Sequence, residues 1–335
     1  MSVSMDLTTI WAFIIAFAIF AYVVMDGFDL GIGILFPTFA PGRERDRAMN
    51  SIAPVWDGNE TWLVLGGGGL FAAFPLAYAV ILPATYPLII AMLLGLVFRG
   101  VAFEYRWRDP SHRKYWDIAF TGGSIVSALS QGMILGALLQ GIEVTDRAYS
   151  GSWFDWLTPY TLLTGVGTLA GYALLGATWL VWKLDGDAQN HARKLGKMAA
   201  LATLALMGAI SLMNLFVRPE YAEHWLSAPE IYWVAPIPIA TLIVAGFLWH
   251  ALSCDRHSKP FWLSLALFLF GLAGVGVTIW PYVVPPGITI WDAAAPERSQ
   301  VFMLVGVAIT MPLIIAYTAW AYWVFRGKVG DEGYH

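Results

Sequence analysis

Apolar residues run along this chain in long blocks, separated by short polar segments rich in Gly, Pro, Lys and Arg. A bilayer core of about 30 Å takes about 20 residues of apolar helix to cross. On that ruler the blocks at 7–36, 50–73, 77–105, 115–140, 158–183, 195–216, 231–253, 260–283 and 301–326 predict nine transmembrane helices. Helix is the expectation for each, because lipid offers unpaired backbone groups no partner. No connecting segment is long enough to fold alone, so residues 1–335 read as one integral-membrane domain of the all-α class. The even spacing predicts two four-helix bundles with one peripheral helix left over. The first block is too long for a signal-peptide core and has no basic segment before it, which reads as a retained span.

The polar segments set an orientation, since Lys and Arg accumulate in short cytoplasmic loops. One side carries Arg43, Arg45, Arg47, Arg106, Arg108, Arg113, Lys114, Lys183, Arg193, Lys194, Lys197, Arg256, Lys259, Arg326 and Lys328. The other carries Arg147, Arg218 and Arg298. A bias of 15 to 3 predicts the N-terminus outside and the C-terminus in the cytoplasm, which an odd number of spans also requires. Trp153, Trp156, Trp225, Trp291, Trp320 and Trp323 fall near span ends, as interfacial anchors do.

Composition agrees: 58% of the 335 residues are hydrophobic and 13% are charged, against roughly 25% charged in a soluble domain. The net charge of -4 is scattered and offers no basic tract for nucleic acid. Cys254 is the one cysteine, which excludes an intrachain disulfide and any site built from several thiolates. It reads as a small packing residue. His112, His191, His224, His250, His257 and His335 fall in loops, at helix ends or in the tail, so no pair faces across mid-membrane to ligate a haem.

Against that background the informative residues are charges inside the apolar blocks, each costing roughly 2.5–3.5 kcal/mol on insertion scales. Asp26 and Asp29 lie in the first block, Asp57 and Glu60 of Asp57-Gly-Asn-Glu60 in the second, and Arg99 in the third. Both acid pairs are spaced i,i+3 and share a helix face. A rise of about 1.5 Å per residue puts all five about 10–15 Å from the cytoplasmic ends of their spans. One layer of four acids and one base admits three readings: a lock between helices, a proton uptake path, or the ion site of a secondary transporter or channel. Gly27 and Gly31, and the run Gly66 to Gly69, read as places where neighbouring helices approach closely, and the run alternatively as an opening that admits a lipid tail, a quinone chain or a small gas.

The segments Met25-Asp-Gly-Phe-Asp-Leu-Gly31, Ser51-Ile-Ala-Pro-Val-Trp-Asp-Gly-Asn-Glu60 and Phe98-Arg-Gly-Val-Ala-Phe-Glu-Tyr-Arg106 resemble subunit II of the cytochrome bd-type quinol oxidases. The likeness continues through Trp291-Asp292-Ala293 and Tyr317-Thr-Ala-Trp-Ala-Tyr-Trp323 and covers essentially the whole chain. Its short length and compact outer loops are similar to the cyanide-insensitive branch. The resemblance implies a respiratory complex of the bacterial inner membrane that oxidises quinol and reduces dioxygen to water, with haem b and haem d on a partner subunit I. It implies a haem-free chain that forms the interface with subunit I. It also leaves room for a structural quinone and a small accessory membrane subunit. By the same resemblance Asp57 belongs to a proton path from the cytoplasm and Trp62 lies near an oxygen route. Asp26, Asp29, Glu60 and Arg99 match family positions, and their proton role rests on depth.

Overall fold

The computed structural model describes residues 6–254 and 256–330. His335 lies outside the described residues. The long helices are α1 (Leu7–Leu35), α3 (Trp56–Ala73), α4 (Pro75–Arg108), α5 (Arg113–Gln140), α6 (Pro159–Lys183), α7 (Gly186–Val217), α10 (Pro236–Ser253), α11 (Lys259–Ile279) and α13 (Glu297–Val324). Short helices α2 (Arg43–Asn50), α8 (Pro219–Leu226), α9 (Ile231–Val234) and α12 (Ile290–Ala293) join them. Among the described residues eight helices are long and apolar enough to cross a membrane, all of the long ones except α3. In α3 the Asp57–Glu60 turn and four consecutive glycines lower the apolar content, although 18 residues still reach about 27 Å. The chain is thus a polytopic, predominantly helical membrane protein.

Helix ends follow local chemistry. Asp6 caps α1, its carboxylate accepting from the Thr9 amide at 2.7 Å. Thr158 and Thr161 form a reciprocal box at the start of α6, with Pro159 in the first turn where its missing N–H costs nothing. The block expected at 50–73 is not one helix. Pro54 disfavours helical backbone at Ala53, so α2 ends at Asn50, a run of turns follows, and α3 begins only at Trp56. The block at 231–253 is likewise divided at Ala235, ahead of Pro236 and Pro238. Helix α11 stops at Ile279, before Trp280-Pro281, and residues expected at its end form strand β3 (Tyr282–Val284), paired antiparallel with β4 (Ile288–Thr289). A second two-stranded hairpin, β1 (Val144–Thr145) with β2 (Ala148–Tyr149), follows α5. These hairpins are the strand content of the described residues and the one departure from an all-α chain.

Packing joins α1, α3, α4 and α5 into one ring of neighbours and α6, α7, α10 and α11 into a second. Helix α6 lies against both α1 and α5 and couples the rings, while α13 packs mainly along the edge formed by α1 and α3 and reaches α6 through Tyr322 against Trp179. Glycine sets the closest approach. A Cβ on Gly31 of α1 would sit 1.8 Å from the Tyr172 carbonyl oxygen of α6, and one on Gly123 of α5 would sit 2.4 Å from the Gly95 oxygen of α4. The run in α3 behaves differently from the expected helix contact. Gly66 and Gly69 meet only Ile19 and Ile15 side chains at ordinary distances, and Gly67 and Gly68 face open space. Beside this run an apolar crevice of about 320 Å³ opens between α1, α3 and α13, lined by Trp11, Ala18, Gly68, Gly69, Met303 and Val307. The core between the rings is aromatic: Phe28 stacks on Trp179 at 4.3 Å, and Phe261 and Tyr322 pack edge-on against both.

Candidate functional site

Arg99 of α4 is fully buried, and three acids from two other helices converge on it. Its Nη1 lies 3.1 Å from Asp26 Oδ1 and 2.9 Å from Glu60 Oε1, and its Nη2 lies 3.6 Å from Asp29 Oδ2. The i,i+3 spacing of Asp26 and Asp29 on α1 directs both carboxyls to one face. Helix α3 brings Glu60 to the same guanidinium nitrogen that Asp26 approaches. The rings of Trp56 and Phe103, stacked at 4.8 Å with their planes parallel within 2°, lie 5.9 and 5.8 Å from the guanidinium carbon. A planar, delocalised cation suits such a seat better than an ammonium would.

Four of the five ionisable residues expected in one layer therefore meet. Asp57 does not join them: because α3 starts at Trp56, it occupies the first turn and is exposed, and it makes no ion pair among the described residues. It stands in the first turn of α3 rather than two turns inside a helix begun at Asn50, at the end where the positive helix dipole favours an acid. Glu60 is about 6 Å along the helix by its rise. Its side chain is 28% exposed, whereas Asp26, Asp29 and Arg99 are sealed. Three acids against one base leave negative charge in a low-dielectric place, and charge stranded there is costly unless it is hydrogen-bonded or neutralised.

Further polar side chains, which the sequence did not single out, surround the acids. Asn59 Nδ2 donates to Asp29 Oδ2 at 2.8 Å and to the Met25 carbonyl at 3.2 Å, while the Tyr322 hydroxyl of α13 donates to Asn59 Oδ1 at 2.8 Å. On the other flank Tyr22 lies one turn before Asp26 on α1. Gln131 Nε2 donates to the Tyr22 hydroxyl at 2.8 Å, and the Tyr172 hydroxyl donates to Gln131 Oε1 at 2.6 Å. The available signals were Tyr22 at i−4 from Asp26 and an amide, Gln131, in an otherwise apolar block.

Trp62 is buried with its ring edge-on to Phe17 at 5.7 Å, and its indole N–H has no partner among the described residues. On the face bearing most Lys and Arg, buried Arg106 bonds Asp117 at 2.5 Å and Asp46 at 2.9 Å, while Arg45 and Arg113 add second bonds to the same acids. This network pins α2 across α4 and α5 beside the mouth of α3. Among the described residues no group of three or more His, Cys, Asp or Glu is arranged to hold a metal ion. His112 sits on Asp109, His191 against Thr38 and His257 against Gln189, so these rings do not fit an axial pair for a haem.

A sequence model for cytochrome bd terminal oxidase subunit II matches residues 7–325. The chain belongs to that family. It is 30% identical to the cytochrome bd-I ubiquinol oxidase subunit 2 of Escherichia coli (strain K12), over 96% of this chain and 95% of that protein. It is 31% identical to a probable cytochrome oxidase subunit 2 of Haemophilus influenzae, over 96% of this chain and 94% of that one. The cytochrome bd ubiquinol oxidase subunit 2 of Bacillus subtilis is 28% identical over 98% of both chains. The fold is similar to a chain of the bd oxidase from Geobacillus thermodenitrificans, with a TM-score of 0.79 over 96% of this chain and 99% of that chain at 18% identity. The chain is accordingly a subunit of a haem-dependent quinol:oxygen oxidoreductase, a multi-pass protein of the bacterial inner membrane that works with a partner subunit I.

Proposed function

We propose that this chain is the haem-free member of the complex and gives subunit I an interface and part of a cytoplasmic proton uptake path. In this reading all nine long helices span the bilayer, α3 included, with the N-terminus outside and the C-terminus in the cytoplasm. The 15 to 3 distribution of Lys and Arg supports that orientation. Haem b and haem d, held by subunit I, supply electron transfer from quinol to dioxygen. The placement of the histidines described above favours that assignment.

The observation that carries the proton reading is the step from Asp57 to Glu60. An exposed acid stands at the mouth of α3, and one turn further a half-buried acid touches a fully buried Arg99. Protons from the cytoplasm meet Asp57 first, reach Glu60 on the same helix face, and leave toward subunit I. The exposed stripe of α3, with Asp57, Val64, Gly67, Gly68 and Phe71, is where subunit I docks in this reading. An acid on that stripe is unsuited to lipid. Trp62, on the buried side of the same helix, flanks an oxygen route. Lipid or the tail of a structural quinone fills the apolar crevice, and a small accessory subunit has room on the exposed sides of α10 and α13.

A specific observation also favours a second reading: Arg99 ties α1, α3 and α4 together, which is a structural role sufficient in itself. Oxygen consumption by the purified complex separates the two. Asp57→Asn and Glu60→Gln slow turnover at least tenfold with an unchanged haem spectrum if the path is real. Full turnover in both leaves the structural role alone.

A further inference from the structure

Helix α13 is weakly held for its length. Among its described residues Gln300 alone is buried, and from Met303 to Thr310 the helix borders the apolar crevice rather than a packed neighbour. Polar bonds hold its two ends. In the first turn the Trp11 indole donates to the Gln300 carbonyl at 3.2 Å, and Gln300 Nε2 donates to the Ala295 carbonyl at 2.7 Å. At the other end the attachment is made by two lysines.

The last carbonyls of a helix have no partner within it, and a cation placed there also meets the negative end of the helix dipole. Helices α6 and α13 meet at their C-terminal ends and exchange such cations. Lys183, the last residue of α6, donates from Nζ to the carbonyl of Phe325, which caps α13, and to that of Gly327. Lys328, three residues beyond that cap, donates from Nζ to the carbonyl of Leu184, which caps α6. Between them the Val329 amide donates to the Lys183 carbonyl at 3.0 Å, and Arg47 of α2 donates to the Val329 carbonyl at 3.1 Å. Lys183 is 3% exposed, with the rings of Trp179 and Trp182 centred 4.8 and 5.4 Å from its nitrogen. A buried ammonium is costly unless it is hydrogen-bonded, so Lys183 fixes where the Phe325 carbonyl sits.

Tyr322 lies three residues before Phe325, about 4.5 Å along the same helix by its rise. Its hydroxyl donates to Asn59 Oδ1 at 2.8 Å, and Asn59 Nδ2 donates to Asp29 Oδ2 at 2.8 Å. The placement of Phe325 therefore sets the placement of the α13 side chain that reaches the acid cluster. We propose that Lys183 and Lys328 form a reciprocal clamp on α6 and α13 and are positioning residues for the cluster at Arg99: they hold the Tyr322 hydroxyl on Asn59, and so the Asn59 amide on Asp29. Neither lysine touches the cluster, and both act on it through α13. This holds whether the cluster carries protons or only locks three helices together.

The fluorine resonance of purified complex in which Tyr322 is replaced by 3-fluorotyrosine tests the clamp, with Asn59→Ala as the reference for a hydroxyl freed from its acceptor. Lys183→Met, Lys328→Met and a chain ending at Arg326 are expected to move the line toward that reference, and Lys328→Arg, which keeps a donor for the Leu184 carbonyl, to return it to the wild-type position. Amide hydrogen exchange over residues 318–325 should rise at least tenfold in the same variants and fall back in Lys328→Arg. Where Lys183→Met does not assemble, Lys328→Met, at an exposed position, and the shortened chain decide the matter. A line that stays at the wild-type position in both overturns the proposal, even if exchange rises, because the lysines then hold α13 without placing Tyr322. A line that moves as far in Lys328→Arg as in Lys328→Met overturns it as well.

Discussion

Replacing Arg99 by Met removes the one cation from a place that keeps three acids, two of them sealed from water. Breaking a buried pair by deleting one partner costs about 3–5 kcal/mol, because the remaining charge stays uncompensated. The acids have an escape in taking up protons. For a carboxyl of ordinary pKa about 3.9, protonation at pH 7 costs about 4 kcal/mol, from about three pH units at 1.36 kcal/mol each. Two such groups, Asp26 and Asp29, place an upper bound of about 8 kcal/mol on the penalty at pH 7. The sign of the pH dependence follows. In the variant the folded state binds protons that the unfolded state lacks, so stability rises as pH falls from 7 toward 4, by about 1.4 kcal/mol per pH unit for each acid that protonates. The assay is the apparent melting temperature of the purified complex between pH 5 and pH 8, with Arg99→Met, Asp26→Asn and Asp29→Asn combined as the neutral control. We expect Arg99→Met to melt well below wild type at pH 7, to recover at pH 5, and to be restored at all pH values by the triple substitution. A variant within about 1 kcal/mol of wild type that shows no pH trend refutes the idea that Arg99 balances buried anions.

Other consequences are local. Gly31→Ala places a methyl group 1.8 Å from the Tyr172 carbonyl oxygen, so α1 and α6 must separate and assembly or melting temperature must fall sharply, while Gly208→Ala on the exposed side of α7, with nothing within 4 Å, leaves both unchanged; equal behaviour of the two variants contradicts the helix crossing described. Trp62→Phe keeps an aromatic ring against Phe17 and removes an N–H that has no partner among the described residues. If this side chain flanks the oxygen route, the KM for dioxygen shifts with kcat retained, and an unchanged KM removes Trp62 from that route. Replacing Arg45, Arg106 and Arg113 by Gln together breaks the bonds of the network to Asp46 and Asp117 and frees α2 from α4 and α5. Limited proteolysis should then cut within residues 40–55, and a cleavage pattern like that of wild type counts against the network's pinning role.

The meeting of Asp26, Asp29, Glu60 and Arg99 was legible because two quantities suffice to find it, the i,i+3 spacing and the distance of each residue from a basic helix end. Asp57 stands in the first turn of α3, and not two turns inside a helix, for a local reason. Hydropathy runs on through residues 50–55, but Pro54 breaks the helix there, and that moves the start of α3 by about two turns. The glycine run in α3 could be read as a contact or as an opening, and only its neighbours decide. Gly31 faces a backbone, whereas Gly67 faces none. The amide chains were out of reach for a different reason. Gln131 joins Tyr22 across 109 residues and Tyr172 across 41, and Tyr322 joins Asn59 across 263. No periodicity along one helix encodes a contact made by the packing of several.

The central claim is that protons used in oxygen reduction pass Asp57 and Glu60. Its most direct measurement is the rate of proton uptake when anaerobic, quinol-reduced complex is mixed with a dioxygen pulse and followed with a pH dye. Glu60→Gln and Asp57→Asn should slow dye-reported uptake and oxygen reduction together, at least tenfold, in complexes with intact haem spectra. Uptake in both variants at the wild-type rate contradicts the account.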